Sequence, residues 1–388
     1  MNKKLYLDHA ATTPCATEVT SAMIPYFEEV YANPSVSYSL GQRARRAVEG
    51  AREEIAESIG AEPDEIIFTS GGTEANNTAL KGITNAYKDK GNHIIISSIE
   101  HHSILEPSKF LEKNGFTVSY IPVNGDGIID PDDIKNAITE KTILISTMHA
   151  NNEIGTIQPI KEIGGIAKER DIIFHTDAVQ SFGHISVNVN VLNLDLLSAS
   201  AHKVYGPKGV GILYIRKGTK INPLLHGGDQ EKMRRASTEN VPGIVGFGKA
   251  VELANQHLPN EIKRITKLRD RIIKEIQSKI EEVKLNGHPV QRLPNNINLS
   301  IKNIEGESMI LNLDMSGIYA STGSACASQT IEPSHVLKAI GLSNELALSS
   351  FRLTLGRSTK EEDINYIIDV LQGTITQLRS LSHNYKKE

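Results

Sequence analysis

The fold of this chain is first indicated by the stretch Ser198-Ala-Ser-Ala-His202-Lys203-Val-Tyr-Gly206-Pro-Lys208-Gly209. It places Lys203 at a turn rich in glycine and proline, just beyond the apolar run 192–197. Partial desolvation at the end of a buried strand would lower the pKa of the lysine amine and make it a usable nucleophile. An ordinary loop lysine fits the same residues, so this stretch alone leaves both interpretations open.

An upstream segment, His175-Thr-Asp177-Ala-Val-Gln180, favours the nucleophile. Its acid, Asp177, ends another apolar strand that begins near residue 172. An aspartate combined with a reactive lysine is what pyridoxal 5'-phosphate (PLP) requires, because the carboxylate keeps the pyridine nitrogen protonated and the ring can then accept electrons. A lone aspartate at a strand end would more often be a helix cap.

Together these segments resemble the fold-type I PLP enzymes, and more narrowly the NifS/IscS-type cysteine desulfurases of the class-V aminotransferase family. The similarity runs from Tyr6-Leu-Asp-His-Ala-Ala-Thr-Thr-Pro14 to Arg352-Leu-Thr-Leu-Gly-Arg357, with the motifs in the family's order. It implies that PLP binds Lys203 and that L-cysteine is converted to L-alanine. It also implies that a persulfide on Cys326 passes sulfur to an iron–sulfur scaffold or a tRNA-thiolating enzyme.

Short apolar runs alternate with helical segments between residues 64 and 215, which predicts an α/β fold with a mostly parallel seven-stranded sheet flanked by helices. Ligands of such sheets bind at the carboxyl ends of the strands, where the residues above lie. A charged amphipathic helix is expected from Ile262 to Ile276. The candidate strands are 65–69, 93–97, 118–122, 142–147, 172–175, 194–198 and 210–215.

The domain organisation follows from this pattern and from the resemblance. A large PLP-binding domain is expected over residues 16–258. Residues 1–15 and 259–388 are expected to form a smaller α+β domain that carries the cysteine loop, with the amphipathic helix as the bridge between the two domains.

Bulk properties exclude several classes of protein. The chain has 388 residues, with Lys+Arg 42 against Asp+Glu 46, so charge gives no reason to expect direct nucleic-acid binding. No apolar run approaches the length of a membrane span, and the start is too short for a signal peptide. Two cysteines, Cys15 and Cys326, argue against a disulfide framework and for the cytoplasm. Cys15 follows Pro14 and is interpreted as structural.

The turn Thr69-Ser-Gly-Gly-Thr-Glu74 lies between a predicted strand and a predicted helix. Its glycines allow a tight turn, and the first free N–H groups of the helix could bind an anion, although such a turn alone is a weak signal. In the resembled family this turn binds the PLP phosphate together with a serine and a histidine. That similarity implies Gly72, Thr73, Ser200 and His202 as cofactor-binding residues.

The resemblance also implies the remaining cofactor contacts. His101, in Glu100-His101-His102, would stack on the pyridine ring and transfer protons; the pair lacks the spacing of a helical zinc site. Asn152 would hydrogen-bond near the phenolic oxygen and the substrate, a task shared with Gln180, although asparagine is often a turn former. Thr238 would contact the phosphate of the partner subunit's cofactor, which implies a homodimer with composite active sites.

The segment from Ser321 to Thr330 carries the specific reaction. Nine of its ten residues are small or hydroxylic, so a mobile and exposed loop is expected around Cys326. In the resembled family, in its long-loop subgroup, this cysteine attacks the substrate sulfur as a thiolate. It could transiently ligate an iron–sulfur cluster shared with a scaffold, and no resident metal is expected. Arg352 matches the arginine that binds the substrate carboxylate, a bidentate task that suits a guanidinium.

Two alternatives stay open at this point. One is a lyase of similar fold that releases sulfur or selenium without Cys326. The other is an adaptor without PLP that only docks sulfur-transfer partners, against which the intact Lys203 argues.

Three further segments qualify the match. Asn33-Pro-Ser-Val-Ser-Tyr38 stands where relatives usually have Asn-Pro-Ser-Ser-x-His, and Ala236-Ser237 stands where they tend to have Ser-Gly before Thr238. The first puts the active-site entrance in doubt and the second the cross-subunit contact. Residues 243–250 nearly spell a P-loop, but alanine replaces the Ser or Thr that binds magnesium, so a P-loop is rejected.

Overall fold

The computed structural model of the protein describes residues 3–322 and 332–381. The strands are β1 (Leu5–Tyr6), β2 (Ile66–Thr69), β3 (His93–Ser97), β4 (Thr117–Ile121), β5 (Thr142–Ser146), β6 (Ile173–Asp177), β7 (Leu196–Ser200), β8 (Gly211–Ile215), β9 (Val283–Leu285), β10 (Asn296–Ile301), β11 (Ile318–Tyr319) and β12 (Ser350–Thr354). The helices are α1 (Thr17–Met23), α2 (Pro25–Glu28), α3 (Ser39–Ile59), α4 (Gly72–Tyr87), α5 (His102–Lys113), α6 (Pro131–Ala137), α7 (Ile160–Glu169), α8 (Val241–Lys279), α9 (Gly306–Met315), α10 (His335–Ala339), α11 (Asn344–Leu348) and α12 (Ile364–Leu381). None of the helices in these two ranges combines the length and apolarity that crossing a membrane requires.

The central sheet has seven strands in the order β2-β8-β7-β6-β5-β3-β4. The five strands from β7 to β4 pair in parallel, and β8 runs antiparallel to both of its neighbours. The expected α/β fold and mostly parallel sheet are thereby confirmed. β6 and β7 extend two residues beyond their predicted ends, so that Asp177 and Ser200 are the last residues of adjacent strands.

Helices cover both faces of this sheet, because consecutive side chains of a strand point to opposite sides. Ile95 and Phe174 belong to a core that includes α3 and the first half of α8. Ile94 and Ile96 instead pack in a core with residues of α4 and α5. Burial on both faces explains why the strands are apolar runs rather than alternating patterns.

Away from the central sheet, a separate core lies around the antiparallel sheet β12-β10-β9 and the parallel pair β1-β11. Helices α9, α12 and the second half of α8 contribute to it through residues such as Leu313, Ile272 and Ile368. The expected bridging helix is therefore present, but α8 begins at Val241, well before Ile262. Residues 243–250 lie inside α8, which agrees with the rejection of a P-loop. α8 runs continuously through the expected boundary at 258 and 259, and the domain bounds stay a prediction.

Candidate active site

A cavity of ≈ 420 Å³ lies at the carboxyl edge of the central sheet. Its walls come from the residues that follow β2, β3, β5, β6 and β7, and from β12 of the smaller sheet. Of the site residues that were predicted from the sequence, all but two lie in the walls of this cavity. They are Gly72, Thr73, His101, Asn152, Asp177, Gln180, Ser200, His202, Lys203 and Arg352.

The two exceptions are Cys326 and Thr238. Cys326 lies outside the described residues. Thr238 lines a separate cavity of ≈ 180 Å³, and its contact with a partner subunit's cofactor stays a prediction. The preceding Ser237 has φ +107°, a region that favours glycine, and this accounts for the glycine that relatives tend to carry there. Cys15 is exposed, which corrects its interpretation as a structural thiol.

The first turn of α4 forms a cradle for an anion. Gly71 has φ +154° and ψ −179°, a conformation open essentially to glycine alone, and α4 begins at the next residue. A Cβ added to Gly72 would lie 2.7 Å from Val179 Cγ2 and 3.8 Å from Ser200 Cβ, so the space at this turn exists only because the residue is glycine. The free N–H groups of the turn therefore border the cavity together with Ser200.

His202 lies on the 3₁₀ turn Ala201–Lys203, which follows β7. Burial, helped by the charges of Lys203 and Lys208, lowers the pKa of His202 to about 4. Its Nδ1 lies 3.1 Å from Thr12 Oγ1. His202 is therefore neutral near pH 7 and can offer a phosphate a hydrogen bond but no full positive charge.

Asp177 and His101 are joined by two residues that the sequence analysis missed. Asn76 Nδ2 donates to Asp177 Oδ2 at 2.7 Å and to Ser103 Oγ at 2.8 Å. Ser103 Oγ lies 2.8 Å from His101 Nδ1. The other carboxylate oxygen of Asp177 accepts from the backbone N–H of Val179 at 2.9 Å. The network fixes the carboxylate and the imidazole relative to each other.

The surroundings of His101 favour its neutral imidazole form. It is the N-cap of α5, and the backbone N–H of Ser103 donates to its Nδ1 at 3.1 Å, so Nδ1 acts as the acceptor. Burial lowers the pKa of His101; the charge of Asp177 opposes this shift, and those of Lys203 and His102 add to it. Nε2 is then the nitrogen that carries the ring proton and can exchange it.

Lys203 extends toward the N-terminal segment of the chain. Its Nζ donates to the backbone carbonyls of Ala10 at 2.5 Å and Ala11 at 2.8 Å. Gln180 Nε2 donates to the same carbonyl of Ala10 at 3.0 Å. The amine of Lys203 is therefore positioned by backbone oxygens at the edge of the cavity, next to Gln180.

Arg352 lies on β12, and its side chain is buried, with 2 % exposed. Nη1 donates to the carbonyl of Asn152 at 2.9 Å, and Nη2 donates to Asp8 Oδ1 at 2.9 Å. Nε is buried and has no hydrogen-bond partner within residues 3–322 and 332–381. A buried guanidinium with an unsatisfied donor beside a cavity favours binding of a carboxylate there.

Two buried acids border the site. Burial raises the pKa of Glu100 to about 8, and its Oε1 accepts from Ser97 Oγ at 2.5 Å and from the backbone N–H of Met148 at 2.8 Å. Burial likewise raises the pKa of Glu153 to about 7, although Arg352 and a hydrogen bond from Ser334 Oγ at 2.5 Å oppose the shift.

These residues fit PLP by the chemistry of their donors. An amine, a carboxylate, a neutral imidazole and an anion cradle lie around one cavity, and each matches one part of the cofactor: aldehyde, pyridine nitrogen, ring face and phosphate. They are Lys203, Asp177, His101 and the first turn of α4 with Ser200 and His202. Arg352 is left for the carboxylate of an amino-acid substrate.

The sequence of this chain is similar to those of known proteins. The aminotransferase class-V family matches residues 5–367. A protein named cysteine desulfurase IscS from Dictyoglomus turgidum is 58% identical over 388 residues, which cover 100% of this chain and 98% of the relative. A protein of the same name from Methanosarcina thermophila is 55% identical over 387 residues, covering 100% of this chain and 96% of the relative.

Solved structures show the same similarity. A structure described as a NifS-like protein superposes with a TM-score of 0.91 at 37% sequence identity, covering 97% of this chain and 100% of the other. A structure described as SspA in complex with cysteine has a TM-score of 0.82 at 40% identity, covering 91% of this chain and 99% of the other.

Proposed function

The chain belongs to the aminotransferase class-V family, and on that basis we propose a function for this site. Within that family it is a PLP-dependent cysteine desulfurase, which converts L-cysteine to L-alanine and supplies sulfur for iron–sulfur clusters. The observation that carries this function is the shared cavity of Lys203, Asp177, His101 and Arg352, which combines a cofactor site with a carboxylate site.

The cofactor, when bound, supplies an electron sink for the charge released at the α-carbon of the substrate. Asp177 supports the protonated state of the pyridine nitrogen, and the hydrogen bonds from Asn76 and Val179 keep its two oxygens oriented. The first turn of α4, with Ser200 and His202, is proposed to hold the phosphate.

Substrate binding and proton transfer fall to three side chains. Arg352 binds the α-carboxylate of cysteine, using Nε, which has no hydrogen-bond partner among the described residues. Lys203 would be the amine that holds the cofactor, and from its position near the carbonyls of Ala10 and Ala11 its Nζ would move protons. His101 exchanges a proton at Nε2, because Nδ1 is occupied by Ser103.

Cys326 is proposed to take up the sulfur. Its thiolate attacks the sulfur of the substrate, the bond between that sulfur and the β-carbon breaks, and an S–S bond forms. The electron pair of the broken bond stays with the substrate carbon, which is protonated to give alanine, while the enzyme retains a persulfide. The overall change, cysteine plus thiol to alanine plus persulfide, is balanced without an external oxidant or reductant.

The wider assembly belongs to the same proposal. We propose a homodimer in which Thr238 contacts the phosphate site of the partner subunit, and a reducing, cytoplasmic location in keeping with two cysteines. The acceptor of the persulfide is an iron–sulfur scaffold or a tRNA-thiolating enzyme.

Mass spectrometry after treatment with L-cysteine tests this function. A single sulfur adduct on Cys326 and stoichiometric alanine are expected, and Cys326→Ala is expected to abolish alanine formation. Cys15→Ala serves as the matched control and should leave both unchanged, since Cys15 does not line the cavity. Continued sulfide release by Cys326→Ala would instead indicate a lyase, and absence of a cofactor absorbance band that depends on Lys203 would indicate an adaptor.

A further inference from the structure

The guanidinium of Arg352 is held by Asp8, which belongs to the segment 6–14 but was assigned no role by the sequence analysis. Asp8 Oδ1 accepts from Arg352 Nη2 at 2.9 Å, and the two side chains are 17 % and 2 % exposed. Asp8 does not belong to the residues that line the cavity, whereas Arg352 does. The carboxylate therefore contacts the guanidinium from outside the cavity, and Nε has no partner in the part of the chain that the structure describes.

Asp8 is itself anchored by backbone contacts. It pairs with Thr354 of β12 as an isolated bridge, and the hydroxyl of Tyr6 donates to its carbonyl at 3.1 Å. Arg352 is held in turn by the carbonyl of Asn152 at 2.9 Å. Two fixed oxygens, one on each terminal nitrogen, are enough to set the plane of a guanidinium.

The same N-terminal segment also contacts the reactive amine. The carbonyls of Ala10 and Ala11, two and three residues after Asp8, accept hydrogen bonds from Lys203 Nζ. Arg352 and Lys203 are thus held by one short stretch of chain. Loss of the Asp8 contact alone leaves the two carbonyls that hold the amine in place, so it should affect the guanidinium and not Lys203.

Charge balance around Arg352 supports a specific task for Asp8. The other acid near this guanidinium is Glu153, whose pKa is raised by burial to about 7. Glu153 is therefore largely protonated below that pH, and Asp8 is the partner that bonds the guanidinium directly. An uncompensated buried guanidinium would be costly and free to reorient.

We propose that Asp8 is a positioning residue for substrate recognition, holding the Arg352 guanidinium so that its unpartnered Nε meets the α-carboxylate of the incoming amino acid. The inference rests on the proposed function, because it concerns the same carboxylate site. It predicts that Asp8 acts on substrate affinity much more than on the chemical step.

The test compares Asp8→Ala and Asp8→Asn with wild-type holoenzyme. The Asn variant keeps an acceptor oxygen for Nη2, and the Ala variant removes it. Lys3→Ala is the matched control, because Lys3 forms a neighbouring N-terminal ion pair with Asp363 at 2.5 Å that does not touch the site. The measurements are KM and kcat for L-cysteine, and the dissociation constant of the product L-alanine from the change in cofactor absorbance.

Asp8→Ala is expected to raise KM and the alanine dissociation constant about tenfold or more, as for loss of a hydrogen bond to a charged group, with kcat changed less than about threefold. Asp8→Asn should recover most of the affinity, and Lys3→Ala should match wild type.

Three results would overturn the inference. Unchanged affinity in Asp8→Ala would mean that Arg352 needs no positioning. Tighter binding would mean that Asp8 competes with the substrate. If Asp8→Asn bound L-cysteine and L-alanine as weakly as Asp8→Ala, positioning through the acceptor oxygen would be excluded. Failure of wild-type enzyme to form alanine from cysteine would instead refute the proposed function. If Asp8→Ala does not fold, the same affinities are compared between Asp8→Asn and Asp8→Glu. The glutamate displaces the acceptor oxygen by one methylene.

Discussion

Glu100 is a buried acid whose protonation is linked to the stability of the protein. Its side chain is fully buried, and Oε2 has no hydrogen-bond partner among the residues that the structure describes. Burial, helped by the charge of Asp177, raises its pKa from the model-compound value of 4.5 to about 8. Between these two pH values the folded protein keeps a proton that the unfolded chain releases, so the stabilisation from Glu100 falls as pH rises through this window.

We therefore expect Glu100→Gln to reduce the loss of stability between about pH 5 and about pH 9, by an amount on the order of a few kcal/mol. The measurement is the free energy of unfolding in urea at both pH values. Glu57→Gln, on the exposed face of α3, is the control and should follow wild type. Equal pH dependence in Glu100→Gln and wild type would show that Glu100 ionises as readily in the folded state as in the unfolded one.

Single residues were predictable when a local pattern surrounded them. Asp177 ends an apolar strand and Lys203 lies in the turn just after another, and both apolar runs are visible in the sequence. Asn76 follows Gly72 by one helical turn, so helical spacing could have directed it to the same cavity. No local spacing related Asp8 to its partner Arg352, because the two are distant in the chain and only the assembled fold brings them together.

At the scale of the elements, the first turn of α4 depends on the small residue Gly72. A Cβ at Gly72 would lie 2.7 Å from Val179 Cγ2 at the turn proposed to hold the phosphate. Gly72→Ala must therefore displace Val179 or the turn, and we expect the affinity of the apoenzyme for PLP to fall about tenfold. Fluorescence or absorbance titration of the apoenzyme measures this affinity.

Gly50→Ala is the control for that measurement. Gly50 lies in α3, and a Cβ there would meet nothing within 4 Å. It should leave PLP affinity unchanged and stabilise the helix by up to about 1 kcal/mol. Equal affinity of Gly72→Ala and wild type for PLP would argue against this turn as the phosphate site.

The start of α8 shows where sequence reasoning at the scale of elements failed. Its first turns contain Gly243, Gly246 and Gly248, a composition that indicates a loop. The structure instead places them in a helix that packs closely against its neighbours. A Cβ at Gly246 would lie 2.7 Å from Met23, and one at Gly248 would lie 2.7 Å from Ala51 of α3. Glycine is present for close helix packing, and that requirement depends on tertiary neighbours.

At the scale of the whole molecule, α8 connects the two cores. Phe247, in its first half, is fully buried in the core of the central sheet, and Ile272, in its second half, is fully buried in the core of the smaller sheet. A perturbation of either core therefore reaches the other through a continuous helix. The fold class was predictable from strand and helix alternation, whereas this shared helix was foreseen only in its second half.

We expect Phe247→Ala and Ile272→Ala each to destabilise the protein by about 2–5 kcal/mol while keeping a single thermal transition. Far-UV circular dichroism and cofactor absorbance should then change at the same temperature. Met315→Ala, at a side chain 79% exposed, is the control and should leave the transition unchanged. Two separate transitions in either core variant would show that the cores unfold independently.

The bond between Asp8 and Arg352 also bears on when activity can begin during biosynthesis. Its two residues are 344 positions apart, and a ribosome adding about 5–20 residues per second needs roughly 20–70 s to make the second after the first. Until then a nascent chain has its reactive lysine but lacks the strand that brings the guanidinium. An incomplete translation product would therefore carry the amine without the means to orient an amino acid beside it.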